Sequence, residues 1–127
     1  FFKKLKNHHI RVVLNTGYDA KTAAKLLAKL AWNIGEEIDM LITADDVKNG
    51  RPAPDMIHKA MQQFEITDPS YVLKAGDSEI DIIEGKNANC GLTIGVLSGA
   101  QTREQLEAAK PDYILNLVTE LESILLN

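Results

Sequence analysis

Five short runs rich in β-branched or other large apolar residues recur along this chain: IRVVLNT (Ile10–Thr16), IDMLITA (Ile38–Ala44), YVLKAG (Tyr71–Gly76), LTIGVLS (Leu92–Ser98) and DYILN (Asp112–Asn116). Each reads as a strand. The segments between them carry helical signals instead. Asp19 stands as an N-cap before Ala20, Ala23, Ala24, Leu27 and Leu30 at helical spacing, with Lys21, Lys25 and Lys29 on the opposite, solvated face. Pro54 suits a first helical turn, and Met56, Ile57, Ala60, Met61 and Phe64 form the apolar side of the helix it opens. Ser78 is placed to cap a helix running to about Asn89. Thr102 and Gln105 have capping-box spacing at the head of another, and LVTELESILL closes the chain as a helix. Strict alternation of strand and helix predicts a three-layer α/β domain, a parallel sheet with helices on both faces.

Composition narrows the function classes. With 127 residues the chain has about one domain's worth of sequence, and neither a repeat nor an interdomain linker is visible. A net charge of −4 argues against nucleic acid or an anionic membrane as partner, since both need a basic face. No apolar run approaches the roughly 18 residues of a membrane span. The single Cys90 cannot form an internal disulfide, so a reducing cytoplasm is expected, with Cys90 a small apolar residue rather than a nucleophile. His8, His9 and His58 are too scattered to form a metal set. Trp32 and Tyr18 are expected to pack, with Tyr18 near enough to Thr16 to line a pocket. The chain opens on Phe1 and runs straight into a helix-like stretch, which reads as part of something longer or as a processed product.

In an open parallel sheet, ligands sit beyond the carboxyl ends of the strands, where helix N-termini also point. There this sequence collects Asn15-Thr16-Gly17, Thr43-Ala44-Asp45-Asp46, Gly76-Asp77-Ser78 and Ser98-Gly99: hydroxyls, glycines and carboxylates, the groups that bind phosphate and hard cations. Asp77 at a strand end and Asp81 one helical turn later can face one cavity and hold Mg²⁺, which takes one or two carboxylates plus waters and phosphate. Helix-dipole complementation is the alternative for both. Thr16 with Gly17 can offer a phosphoryl oxygen a hydroxyl and backbone N–H groups, or Thr16 can bond its own backbone in an ordinary turn. Arg51, stiffened by Pro52 and Pro54, can present a planar, permanently charged fork to phosphoryl oxygens, or it can be a solvated loop residue.

Together, RVVLNTG, GRPAPDMI and VLKAGDSEIDIIEGKNA resemble, in order and spacing, the motifs of the haloacid dehalogenase (HAD) superfamily. LNTGY, LKAGDSEIDIIEG and LSGAQTREQLEAAKPDYILNLVTEL are similar to its phosphonatase-like branch. The resemblance implies a Rossmann-like core and Mg²⁺-dependent hydrolysis of a small phosphorylated or phosphonate metabolite through an aspartyl-phosphate. By the same resemblance Thr16 and Gly17 hold the transferring group, and Arg51 offsets its charge. Asp77 binds Mg²⁺, and Asp81 supports the metal through water or a neighbouring residue. Ser78, Glu79 and the run Asn-Ala-Asn depart modestly from the branch's pattern.

One departure is larger. The family's nucleophile is the first Asp of an Asp-x-Asp ending an earlier, central strand, and no aspartate in this chain is followed two residues later by another. The cap domain, with the lysine that C–P cleavage needs, has no counterpart either. Residues 1–127 are therefore expected to be the carboxyl-terminal part of a hydrolase core, with no second domain, inactive alone and with buried sheet edges whose backbone groups are unpaired. Assembly as a homodimer is left open. Two other readings stand beside this one: a non-catalytic remnant of the fold that serves in binding, and a receiver-type signalling domain. The receiver reading needs an acidic pair after the first strand and a lysine after the last full one, where Asn15-Thr16 and Ser98-Gly99 stand.

Overall fold

A computed structural model describes residues 1–97, 99 and 101–126. Its elements are α1 (Phe2–Asn7), β1 (Val13–Asn15), α2 (Ala20–Leu30), β2 (Met40–Ile42), α3 (Asp55–Gln63), β3 (Leu73–Gly76), α4 (Glu79–Asn87), β4 (Leu92–Val96), α5 (Arg103–Ala108), β5 (Tyr113–Leu115) and α6 (Leu121–Leu125), with short 3-10 turns before β3, after β2 and before α6. All strand pairings are parallel, and helices cover both faces. The alternation seen in the sequence is realised element by element.

Helix starts follow the local chemistry. Asp19 caps α2 by accepting from the Thr22 N–H at 2.7 Å. Ser78 and Thr102 each form a reciprocal capping box, with Asp81 and Gln105 respectively. Strands are shorter than their apolar runs. Before β1, the Val12 N–H donates to the Asp39 side chain at 2.8 Å, so a carboxylate takes the place of a ladder carbonyl there. Beyond it, the Thr16 N–H still reaches the Ile42 carbonyl at 3.0 Å. The predicted strand end at Ser98 lies outside the described residues.

The sheet is divided. β1 pairs with β2, and β3, β4 and β5 form a second sheet in that order. Among the described residues β1 and β3 are therefore each bonded on one side, and their residues are half-buried. Two apolar clusters match the division. One gathers Leu5, Val12, Leu27 and Ile38, and the other Ile94, Val96 and Leu121. Phe1 and Leu125 pack against both clusters and so join the two halves. Trp32 packs edge-on against Phe2, with ring centroids 5.1 Å apart. Tyr18 does not pack: it is 56% exposed, because the turn after Thr16 carries it away from both clusters.

Candidate active site

The carboxyl end of β3 leads through Gly76-Asp77-Ser78 into α4. In the capping box there, Asp81 Oδ2 accepts from the Ser78 N–H at 3.2 Å and the Ser78 hydroxyl at 3.0 Å, while the Asp81 N–H donates back to Ser78 Oγ. This folds the Asp81 carboxyl against the strand end so closely that a Cβ on Gly76 would overlap it. Glycine is required at that position for close approach. Asp81 is 6% exposed, so its negative charge needs partners.

Two cations supply them. Arg51 Nη2 pairs with Asp81 Oδ1, and Arg51 Nε donates to Glu84 Oε1 at 3.3 Å. Lys74 Nζ lies 3.4 Å from Asp81 Oδ1 and 3.6 Å from Glu84 Oε1, and donates to Asn15 Oδ1 at 2.9 Å. Asn15 Nδ2 in turn donates to Glu84 Oε2 at 2.8 Å. Glu84 is fully buried. The two carboxylates and two cations cancel in charge, which is the condition for keeping them out of water. The arginine loop is anchored by Asn87 Nδ2 donating to the Pro52 carbonyl at 2.9 Å, and by Asp55 accepting from the Asn49 N–H and side chain at 3.1 Å. The loop arginine is thus held, not solvated.

Of the remaining expected residues, Thr16 and Gly17 follow the end of β1, and Asp77 follows the end of β3. Thr16 follows Asn15 directly, and its hydroxyl accepts from the Tyr18 N–H at 3.2 Å, the local turn bond foreseen as its alternative role. A Cβ on Gly17 would meet nothing within 4 Å, so the space in front of that backbone is open. Asp77 is exposed, and among the described residues its carboxylate accepts no hydrogen bond. A Cβ on Gly99 would overlap the Asp77 carboxyl, so the loop after β4 closes onto it. Thr43, Asp45 and Asp46 serve local structure: Asp46 accepts from the Thr43 N–H at 2.8 Å and Asp45 from the Ala20 N–H at 2.8 Å. His8, His9 and His58 are exposed, and burial pushes the Cys90 thiol up to about 11.

The donor set suits a hard cation held lightly. Among the described residues, no group of three or more His, Cys, Asp or Glu side chains could enclose a metal. Asp81 has both oxygens engaged, whereas among the described residues the Asp77 carboxylate accepts no hydrogen bond, and Mg²⁺ commonly takes one or two carboxylates with waters and phosphate. Asn15 reads as part of a strand end and Lys74 as a strand residue, neither with a role in the site, and Glu84 was not singled out from the sequence. For Glu84 a signal existed: three residues beyond Asp81 on a helix, it shares that residue's face.

A family profile for haloacid dehalogenase-like hydrolases matches residues 1–96. A phosphonoacetaldehyde hydrolase of Latilactobacillus sakei is 37% identical over 144 aligned positions, covering 95% of this chain and 54% of the relative. A pyrophosphatase of Bacillus mycoides is 33% identical over 84% of this chain and 48% of its own length. The crystal structure of a phosphonoacetaldehyde hydrolase-like protein from Oleispira antarctica superposes with a TM-score of 0.79 at 27% identity, over 97% of this chain and 52% of that one. The chain spans about half the length of the curated relatives it matches. No helix among the described residues is long and apolar enough to cross a membrane.

Proposed function

Because this chain belongs to the haloacid dehalogenase-like hydrolase family, we propose that residues 1–127 form the carboxyl-terminal part of a Mg²⁺-dependent phosphohydrolase core acting on a small phosphorylated or phosphonate metabolite. The observation that carries this reading is the buried, charge-balanced cluster of Arg51, Lys74, Asp81 and Glu84, tied to Asn15 at the carboxyl end of β1. Phosphoryl transfer needs groups fixed in advance where negative charge gathers.

The roles divide by chemistry. Thr16 and the backbone at Gly17 bind phosphoryl oxygens, and Arg51 offsets the charge on the transferring group. Asp77 would hold the ion, and Asp81 orders the strand end beside it through Arg51 and Ser78. When bound, Mg²⁺ supplies positive charge to the phosphoryl oxygens. The nucleophile is an Asp carboxylate from a segment outside these residues, on a strand lying between β1 and β3. The two one-sided sheets support that placement. The carboxylate oxygen bonds to phosphorus as the bond to the leaving group breaks. Water then cleaves the acyl phosphate, returning the carboxylate and releasing phosphate.

Likeness to a pyrophosphatase favours a second form of the reading, in which the bond cut is P–O rather than C–P. The test is to express the gene product that includes the residues preceding Phe1 and follow phosphate release from phosphonoacetaldehyde and from pyrophosphate, with Mg²⁺ and with EDTA. Mg²⁺-dependent release from either substrate is expected, and none from residues 1–127 alone. Turnover by the 127-residue chain, or none by the longer product on either class, overturns the proposal.

A further inference from the structure

We propose that Glu84 is a positioning residue that sets the orientation of Arg51 and its placement relative to Thr16; this rests on the phosphohydrolase reading above. Glu84 touches no open space, so it cannot meet substrate itself. Its two oxygens do separate jobs. Oε2 accepts from Asn15, the residue before Thr16 on one sheet. Oε1 accepts from Arg51 Nε and lies near Lys74, which projects from the other sheet. One carboxylate therefore spans the division between the sheets, where no backbone ladder does so.

The geometry also decides which part of Arg51 is available. Asp81 and Glu84 lie one turn apart on α4 and take Nη2 and Nε, the side edge of the guanidinium. That leaves its end, with Nη1, as the face for a phosphoryl oxygen. Remove Glu84 and the guanidinium hangs from Asp81 by one nitrogen, free to turn about that contact. Lys74 would then share Asp81 with Arg51 as the one remaining carboxylate. A planar donor that rotates loses the bidentate geometry that distinguishes arginine from a point charge.

Glu84→Gln tests this directly. Glutamine offers one acceptor oxygen where glutamate offers two, so Asn15 and Arg51 cannot both be served. In the 127-residue chain, solvent exchange of the Arg51 Nε–H, followed by ¹⁵N NMR, should quicken about tenfold or more as its buried acceptor is lost. In the longer, active gene product, kcat should fall about 10–100-fold, as for other supporting groups behind a reactive site. In an Arg51→Ala background the same change should cost little more, because it acts through Arg51. Glu84→Gln with Lys74→Met keeps the cluster neutral and serves if the single variant fails to fold. Unchanged Nε–H exchange, or a kcat loss that simply adds to that of Arg51→Ala, overturns the proposal. So does unfolding of both variants, which would make Glu84 a residue of the fold rather than of the site. If the wild-type product hydrolyses nothing, the phosphohydrolase reading fails, while the exchange measurement still decides whether Glu84 holds Arg51.

Discussion

Gly85→Ala probes the contact that places α4, and with it Asp81 and Glu84, against the sheet. Gly85 is buried, and a Cβ there would lie 2.8 Å from Thr93 Cγ2, 2.9 Å from Lys74 Cβ and 3.2 Å from Lys74 Cγ. None of these atoms can turn aside easily. The Thr93 hydroxyl is tied to Asp112 at 3.2 Å, and Lys74 Cβ is fixed to the strand backbone. The helix must lift instead. Overpacking of this kind costs about 1–3 kcal/mol, and alanine's better helix propensity returns about 0.8–1 kcal/mol. At the middle of these ranges the net loss is about 1 kcal/mol; with a urea slope near 2 kcal/mol/M, the midpoint falls by about 0.5 M. Urea titration of the 127-residue chain followed by far-UV circular dichroism measures this. Gly17→Ala, with open space at its Cβ, is the control and should stay within about 0.5 kcal/mol. A midpoint for Gly85→Ala that is unchanged or raised would refute the claim that this close approach seats α4.

Asp81→Asn leaves Arg51 and Lys74 short of a carboxylate in a buried cluster, and should destabilise the chain by about 3 kcal/mol in the same titration, the low end for a broken buried pair. Asp77→Asn should leave stability nearly unchanged while abolishing Mg²⁺ uptake seen by calorimetry on the longer gene product, because the exposed Asp77 carboxylate accepts no hydrogen bond among the described residues. Ser78→Ala should cost about 1 kcal/mol through loss of the α4 cap. The Cys90 thiol, raised to about 11 chiefly by burial, should resist iodoacetamide at neutral pH until the chain is unfolded. Because its folded value lies above the ordinary 9.0, its contribution to stability is full below about pH 9 and lost as pH rises towards 11.

Most of the fold was legible because its signals are local. The caps at Asp19, Ser78 and Thr102 involve partners three residues away, and each forms as expected. Strand ends were less legible: Ile10–Thr16 shortens to Val13–Asn15 because Asp39, far along the chain, intercepts the first ladder bond. Within the site, Arg51 and Asp81 meet as a pair, which proline-stiffened loop chemistry hinted at but could not specify. Lys74 read as a strand residue, and only its reach across to Asn15 makes it part of the cluster.

The sequence by itself determined the order of strands and helices, the helix starts and the carboxyl-end edge where polar groups gather, since all of these depend on backbone chemistry within a turn or two. The gap between the two sheets was expected from the missing central strand, whereas tertiary structure alone decided that Tyr18 faces outward and that Glu84 joins Asn15 to Arg51. The Glu84 outcome turns on a buried charge finding partners 33 and 69 residues away, and the need to neutralise a charge removed from water does not specify in advance which distant group will meet it.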